Sequence, residues 1–338
     1  MKKSNFEQKK VSILVPIYKA ESFVPRIAEC LFEQTYKNIE FVFVNDASPD
    51  KSIELLEQLV NSRYSDLKSR VKILNNAQNL GVAASRNRAL KNATGDFIVW
   101  MDADDFYSND AVNKLMKKQE VTGADVVCGN FVTIFKNHRQ VSQSKSYIST
   151  HEMLLDVISR EANLCLWGRL WKKSVYDEYN INFTEGLNIG EDYNVIGKYL
   201  YFAKSVATIN DVIYYYDRRN ENSLINNLQS MSRNEQVWCL FSDLKSFFSK
   251  EISKDILLAR AFELSELRMA IAMIVDSAVL RDKSAYSKLR KRISKYRHSN
   301  LWSHISMGKR FLKFNVDFRL VCIYFDFMKW IKHSILKK

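Results

Sequence analysis

Two clusters of carboxylates stand where chemistry could be done. Asp102-Ala103-Asp104, with Asp105 beside it, directly follows the apolar run FIVWM. Alternate residues of an extended segment face the same way, so Asp102 and Asp104 can converge on one ligand at the end of the strand this run predicts. Hard carboxylate oxygens there suit Mg2+ or Mn2+, which bind through one or two carboxylates together with a substrate's phosphates and water. An acidic turn capping a helix from Ser108 is the structural alternative. The second cluster, Glu191-Asp192, opens a helical pattern just after Gly190. The helix dipole alone favours two acids there, so by themselves they read as structural.

Aromatic and cationic residues form two further groups. Trp167 and Trp171 flank Gly168-Arg169-Leu170, with Lys172 and Lys173 following. An indole face can stack on a sugar ring and a cation can balance a diphosphate. Packing in the core is the preferred reading for Trp171, and both readings stay open for Trp167. Tyr216, Arg218 and Arg219 form either a closing loop or a solvated basic turn. Several chemistries lack their residues. No Gly-x-Gly occurs, which removes the dinucleotide fingerprint, and no glycine precedes a Lys-Ser/Thr pair as a phosphate loop requires. His138, His151, His298, His304 and His333 form no metal-binding cluster. The five cysteines are scattered, with no Cys-x-x-Cys pair, so neither a disulfide framework nor a cysteine zinc site is supported and a reducing cytoplasm is expected.

The elements that must hold these residues follow from hydrophobic patterning. Val11–Tyr18, Ile39–Asp46, Val71–Asn75 and Asp96–Met101 read as buried strands. Helical patterns lie between them at Glu21–Tyr36, Ser52–Val60 and Val82–Asn92. The alternation predicts a doubly wound α/β sheet over residues 10–135, whose ligands bind at the carboxyl ends of the strands. Asp125–Phe135 is a further strand candidate and Val206–Tyr216 a strand pair or extended stretch. Helices are expected around His151–Ser159 and Asp192–Phe202, and a helical region from about Gln229 onward.

In order and spacing, VSILVPIYKAESFV, NIEFVFVNDASPDKS and NLGVAASRNRALKNATGDFIVWMDADD resemble the nucleotide-sugar half of the family 2 glycosyltransferases, over about residues 11–106. A looser likeness runs through WGRLWKKSVYDEYNINFTEGLNIGEDYN and VIYYYDRRNENSL to about residue 225. The resemblance implies a GT-A domain, Rossmann-like and specialised for nucleotide-diphospho-sugars, over residues 1–225. Its nucleotide-sugar half would span about 10–106 and its acceptor half about 107–225, with a helical subdomain at 226–338. It also implies an inverting transferase of bacterial surface-polysaccharide type that uses Mn2+ or Mg2+. The donor would be a nucleotide-sugar, with UDP expected, and the acceptor a glycan or lipid-linked glycan.

Residue by residue, the resemblance implies that Pro16, Ile17 and Tyr18, together with Asp46, receive the base. Asn45 stands where the family has the first acid of a pair, and Lys19 where Asn is commoner. Arg86 would lie near the nucleotide, a structural salt bridge being the alternative. Asp102 would contact ribose or metal-bound water, with Ala103 between it and the metal ligand Asp104. The family's catalytic base lies in the Glu191-Asp192 pair, usually at its second acid, here Asp192. A nucleotide-sugar-binding partner without catalysis and a nucleotidyltransferase remain as other readings.

Charge separates the two ends of the chain. Residues 281–338 hold 16 Lys and Arg against 3 acids, while the first 280 residues balance at 35 against 35. Neutrality over most of the length argues against a nucleic-acid protein. MKKSNFEQKK lacks the apolar stretch of a signal peptide, and no run is long and apolar enough to span a membrane. Gly308–Lys338 interleaves Phe311, Phe314, Phe318, Phe325, Phe327 and Trp330 with cations. It reads as an interfacial helix on an anionic membrane, at the inner face of the cytoplasmic membrane. A terminal helix packed on the domain or on a second copy, as in a homo-oligomer, is the alternative.

Overall fold

Apolar runs rich in β-branched and aromatic residues build the centre of the fold. The computed structural model describes residues 8–220, 230–314 and 316–335. VSILVPI forms β1 (Val11–Ile17), IEFVFVN forms β2 (Ile39–Asn45), VKILN forms β3 (Val71–Asn75) and FIVW forms β4 (Phe97–Trp100). These pair in parallel in the order β3-β2-β1-β4. The crossovers are α1 (Val24–Phe32), with Pro25 in its first turn, α2 (Ser52–Ser62) and α3 (Val82–Asn92). The four strand and three helix expectations hold to within a few residues, because β1, β2 and β4 bury nearly every side chain, β3 is half-buried at the sheet edge, and each helix buries one stripe.

Beyond β4 the doubly wound expectation fails. The sheet continues through β5 (Phe106–Tyr107), β6 (Val126–Ile134), β7 (Arg139–Ser142), β8 (Arg169–Lys172) and β9 (Val206–Asp217). Their order is β4-β8-β6-β9-β5, with β7 paired to β6. β8 runs antiparallel to both β4 and β6, so the sheet is mixed and β6 is not a fifth parallel neighbour of β4. The Trp-rich segment thus supplies a central strand that periodicity does not reveal, four residues being too few to show an alternation. Val206–Asp217 is one strand, parallel to β6 with irregular register around Asn130. Helices α4 (Ala111–Thr122), α5 (Thr150–Ile158), α6 (Lys173–Glu178) and α7 (Glu191–Phe202) complete this part of the chain.

Two compact units result. One holds the residues up to Val157 and Ala162–Asn227, and the other holds Ile158–Glu161 and the chain from Leu228 on. The expected boundary at 225/226 lies outside the described residues. In the second unit, helices Ile256–Val279, Lys283–Ile293 and Phe318–Ile335 surround a core that includes Leu267, Ile271, Ile274, Trp302 and Val321, and the helix Ser230–Phe247 packs on Ile256–Val279, with Phe241 against Phe262. Phe318, Val321, Cys322 and Phe325 of the terminal helix pack on this core. Leu320, Ile323 and Phe327 are 60%, 62% and 55% exposed. The tail therefore packs by one face and leaves a second apolar face open. The side chain of Trp330 lies outside the described residues.

Candidate functional site

Arg86 organises the carboxyl end of the parallel strands. It lies on α3 and is buried. Its Nη2 donates to Asp102 Oδ1 at 2.9 Å, and its Nη1 to Glu191 Oε1 at 2.5 Å and Asp192 Oδ1 at 2.6 Å. One guanidinium thus joins the acid after β4 to both acids that open α7. Burial would lower the Arg86 pKa, but the charges of Asp192, Asp102 and Glu191 overcome this and keep it protonated. Its guanidinium also lies over the Phe183 ring, 5.6 Å from the centroid.

Glu191 and Asp192 are both shifted upward, Glu191 by burial and by the charge of Asp192, and Asp192 by burial against the opposing pull of Arg86. The Asp192 side chain is 16% exposed and that of Glu191 10%. Leu166 N donates to Asp192 Oδ2 at 3.2 Å. A carboxylate has about four acceptor positions, so these two bonds orient Asp192 and leave capacity to take a proton.

Asp104 and Asp105 are held by residues far away in sequence. Asn220 Nδ2 donates to Asp104 Oδ2 at 3.0 Å, and Arg26 donates to the Asp104 carbonyl. Arg26 also pairs with Asp217 at 2.8 Å, and Arg219 closes on the same carboxylate at 2.7 Å. Asp105 is fully buried and accepts from Tyr214 Oη at 2.6 Å and from Asp217 N at 2.8 Å. Burial, followed by the charges of Asp104 and Asp102, pushes its pKa well up.

Among the described residues no group of three or more His, Cys, Asp and Glu side chains is arranged to hold a metal by itself. Burial and then the charge of Asp102 raise the pKa of Asp104, as in a carboxylate short of a counter-cation. Two hard carboxylates, with the remaining ligands left to phosphates and water, fit Mg2+ or Mn2+.

At the neighbouring strand ends, Tyr18 is 43% exposed with the Lys19 ammonium over its ring, while Ile17 is buried. Pro16 and Ala103 are partly buried. Asp46 is buried, and its carboxylate accepts from Asn76 Nδ2 at 2.7 Å, Leu80 N at 2.8 Å and Gly81 N at 2.8 Å. It thereby fixes the loop that leads into α3. Gly81 has φ +87°, and a Cβ there would meet the Asn188 side chain at 2.4 Å. Only glycine lets the loop and the segment before α7 approach so closely.

Among the aromatic and cationic candidates the reading of Trp171 as core holds, the lysine reading changes, and the open readings of Trp167, Tyr216 and Arg219 are decided. Lys172 pairs with Asp125 and Lys173 with Asp177. Because β8 is antiparallel to β4, Lys172 lies opposite Phe97, at the far end of the strand from Asp102. These lysines cannot balance a diphosphate at Asp102 and Asp104. Trp167 stacks on Tyr214 with centroids 4.3 Å apart and meets Phe131 edge-on, so its indole is spent on packing. Trp171 is core. Arg219 is committed to Asp217, whereas Tyr216 is tilted against Trp167. Arg26, Asp217 and Asn220, and the partners of Asp105, carried no sequence signal, because the bonds that join them across the site span between 78 and 191 residues.

Comparison with known proteins matches residues 12–182, half of the chain, to the family described as Glycosyl transferase family 2. The glycosyltransferase GlyA of Streptococcus pneumoniae is 27% identical over 219 residues, which are 61% of this chain and 30% of GlyA. The uncharacterized glycosyltransferase EpsJ of Bacillus subtilis is 28% identical over 228 residues, 63% of this chain and 62% of EpsJ. The chain thus spans less than two thirds of either relative. The fold is similar to S. aureus TarS 1-349 in complex with UDP-GlcNAc, with TM-score 0.57 and 17% identity over 86% of this chain and 91% of that one. It is similar also to the mannosyltransferase PcManGT of Pyrobaculum calidifontis in complex with GDP-Man and Mn2+, with TM-score 0.57 and 16% identity over 91% and 86%.

Proposed function

The chain belongs to glycosyl transferase family 2, and from that premise we propose that it transfers a sugar from a UDP-linked donor to a hydroxyl of a glycan or lipid-linked glycan, with inversion. The observation that carries this reading is the Arg86 bridge, which ties Asp102 at the donor end to Asp192 at the acceptor end.

In the proposed reaction the acceptor oxygen bonds to the anomeric carbon as the bond from that carbon to the diphosphate breaks. The electron pair leaves with the nucleoside diphosphate, and the acceptor proton passes to Asp192. A carboxylate whose pKa is lifted by burial suits that task. A divalent cation held by Asp104 and Asp102 would stabilise charge on the departing diphosphate. Arg86 positions Asp192, while Tyr18 and Pro16 form the rim that receives the base. Asp46 serves this rim by fixing the loop Leu80–Gly81. The complexes of TarS with UDP-GlcNAc and of PcManGT with GDP-Man and Mn2+ support a nucleotide-sugar donor and a metal.

Among the described residues no helix is long and apolar enough to cross a membrane. The open apolar face of the terminal helix, set in the basic tail, supports peripheral attachment to an anionic membrane surface. A panel of UDP-, GDP- and dTDP-sugars, read by metal-dependent thermal stabilisation and by hydrolysis, tests the reading. It predicts stabilisation by a UDP-sugar and release of UDP. Pyrophosphate release from a nucleoside triphosphate would make the protein a nucleotidyltransferase instead, and donor binding without turnover in the presence of metal would make it a silent partner.

A further inference from the structure

Three cations converge on one buried carboxylate in the helical unit. Glu266, on the helix Ile256–Val279, accepts from Lys295 Nζ at 2.9 Å, Tyr296 Oη at 3.1 Å, Arg292 Nε at 3.2 Å and Lys245 Nζ at 3.4 Å. Burial would raise its pKa, but the hydrogen bonds from Lys295 and Arg292 and the charge of Lys245 hold it at about 2. Glu266 is therefore ionised at neutral pH, and one negative charge faces three positive ones. Exposed Glu263, one turn earlier on the same helix, lies near Tyr296.

The side chains of Lys245, Arg292 and Lys295 are 42%, 45% and 54% exposed. With Ser242, Ser246 and Phe241 they line a cavity of about 530 Å3. Balancing Glu266 needs one cation, and the surplus charge and the hydroxyls face this space. Arg292 also borders a second, apolar cavity of about 280 Å3 with Trp238, Met273 and Leu289. Its guanidinium stacks on Trp238, 3.6 Å from the ring centroid. Glu235 stands at this second cavity and would repel an anion from it.

We propose that the paired cavities bind a phosphate ester carried on an apolar chain. The phosphate oxygens accept from Lys245, Lys295 and the terminal N–H groups of Arg292, whose planar fork matches phosphate geometry. The chain lies beside Trp238. Nothing in this site belongs to the Asp102–Asp192 cluster, so it stands or falls apart from the transfer reaction.

Calorimetric titration of the full chain at low salt tests it, with inorganic phosphate, n-octyl phosphate below its micelle concentration and n-octanol as probes. Octyl phosphate should bind about tenfold or more tighter than inorganic phosphate, the gain expected from burying part of an alkyl chain. Replacing Lys245 and Lys295 together by Gln should weaken both phosphates about tenfold or more. Trp238→Ala should remove the advantage of the octyl chain, with a smaller loss for inorganic phosphate through the unstacked Arg292. Ser246→Phe keeps every partner of Glu266 and should block both phosphates by filling the cavity, with an unchanged thermal melt. Equal binding of the two phosphates, insensitive to Trp238→Ala, would overturn the apolar chain. No binding of either phosphate, or binding unchanged in both the lysine double variant and Ser246→Phe, would overturn the site.

Discussion

Charge balance decides what the central residues can do. Asp102, Glu191 and Asp192 share a single guanidinium, and Asp104 adds a further acid whose pKa is raised by burial and by Asp102. Such a cluster calls for another cation. Asp104→Ala should therefore abolish metal-dependent stabilisation by the donor, measured as the thermal shift with and without Mn2+, and full activity in excess EDTA would contradict the role given to it. Asp192→Asn keeps the shape but loses the basic oxygen. Transfer should fall about 10²–10⁴-fold with donor affinity nearly unchanged; normal transfer by Asp192→Asn alongside a dead Glu191→Gln would move the base to Glu191. Asp102 and Asp104 were legible in the sequence because they follow a strong strand signal at alternate positions, and Glu191-Asp192 because the family resemblance reaches them. The roles of Asp105, Arg26 and Asn220 were not, since they come from bonds between the start of the chain or the loop after β4 and β9 or the residues just past it.

The strands at the opposite end of the sheet are stapled by Glu40 of β2. Its carboxylate accepts from Ser12 on β1, from Lys72 on β3, from Lys10, and from the amide and hydroxyl of Thr94 ahead of β4. Burial alone would raise its pKa, but bonds from Ser12, Thr94 and Lys10 bring it down to about 2. A depressed carboxylate stabilises the fold above its ordinary pKa, and this stability is lost as pH falls from there toward 2. Relative to the ordinary value of 4.5, the shift corresponds to about 3 kcal/mol at neutral pH. Glu40→Gln should lower the melting temperature at pH 7 and flatten its fall under acid, and a wild-type melting temperature constant between pH 5 and pH 2.5 would contradict this. The four parallel strands could be read because each is a short run dominated by β-branched, aliphatic and aromatic residues. β8 could not, as Arg169–Lys172 is short and carries charge at both ends.

Across the whole chain, charge and apolar exposure meet in the last segment. A surplus of thirteen positive charges over residues 281–338 accompanies the open face of Leu320, Ile323 and Phe327. Each cation near an anionic leaflet contributes about 1 kcal/mol. Replacing these three side chains by Ser should release the protein from anionic liposomes while leaving its melting curve nearly unchanged; no liposome binding by the unaltered chain at low salt would refute peripheral attachment. The sequence showed the amphipathic character of the tail but not its two apolar faces, because which face is covered depends on helices far from it in the chain. Single displacement with inversion is the central claim, and water can serve as its simplest acceptor. Real-time NMR of the sugar first released from a UDP-α-linked donor measures it directly: the account predicts the β-anomer before mutarotation, and initial release of the α-anomer would contradict it.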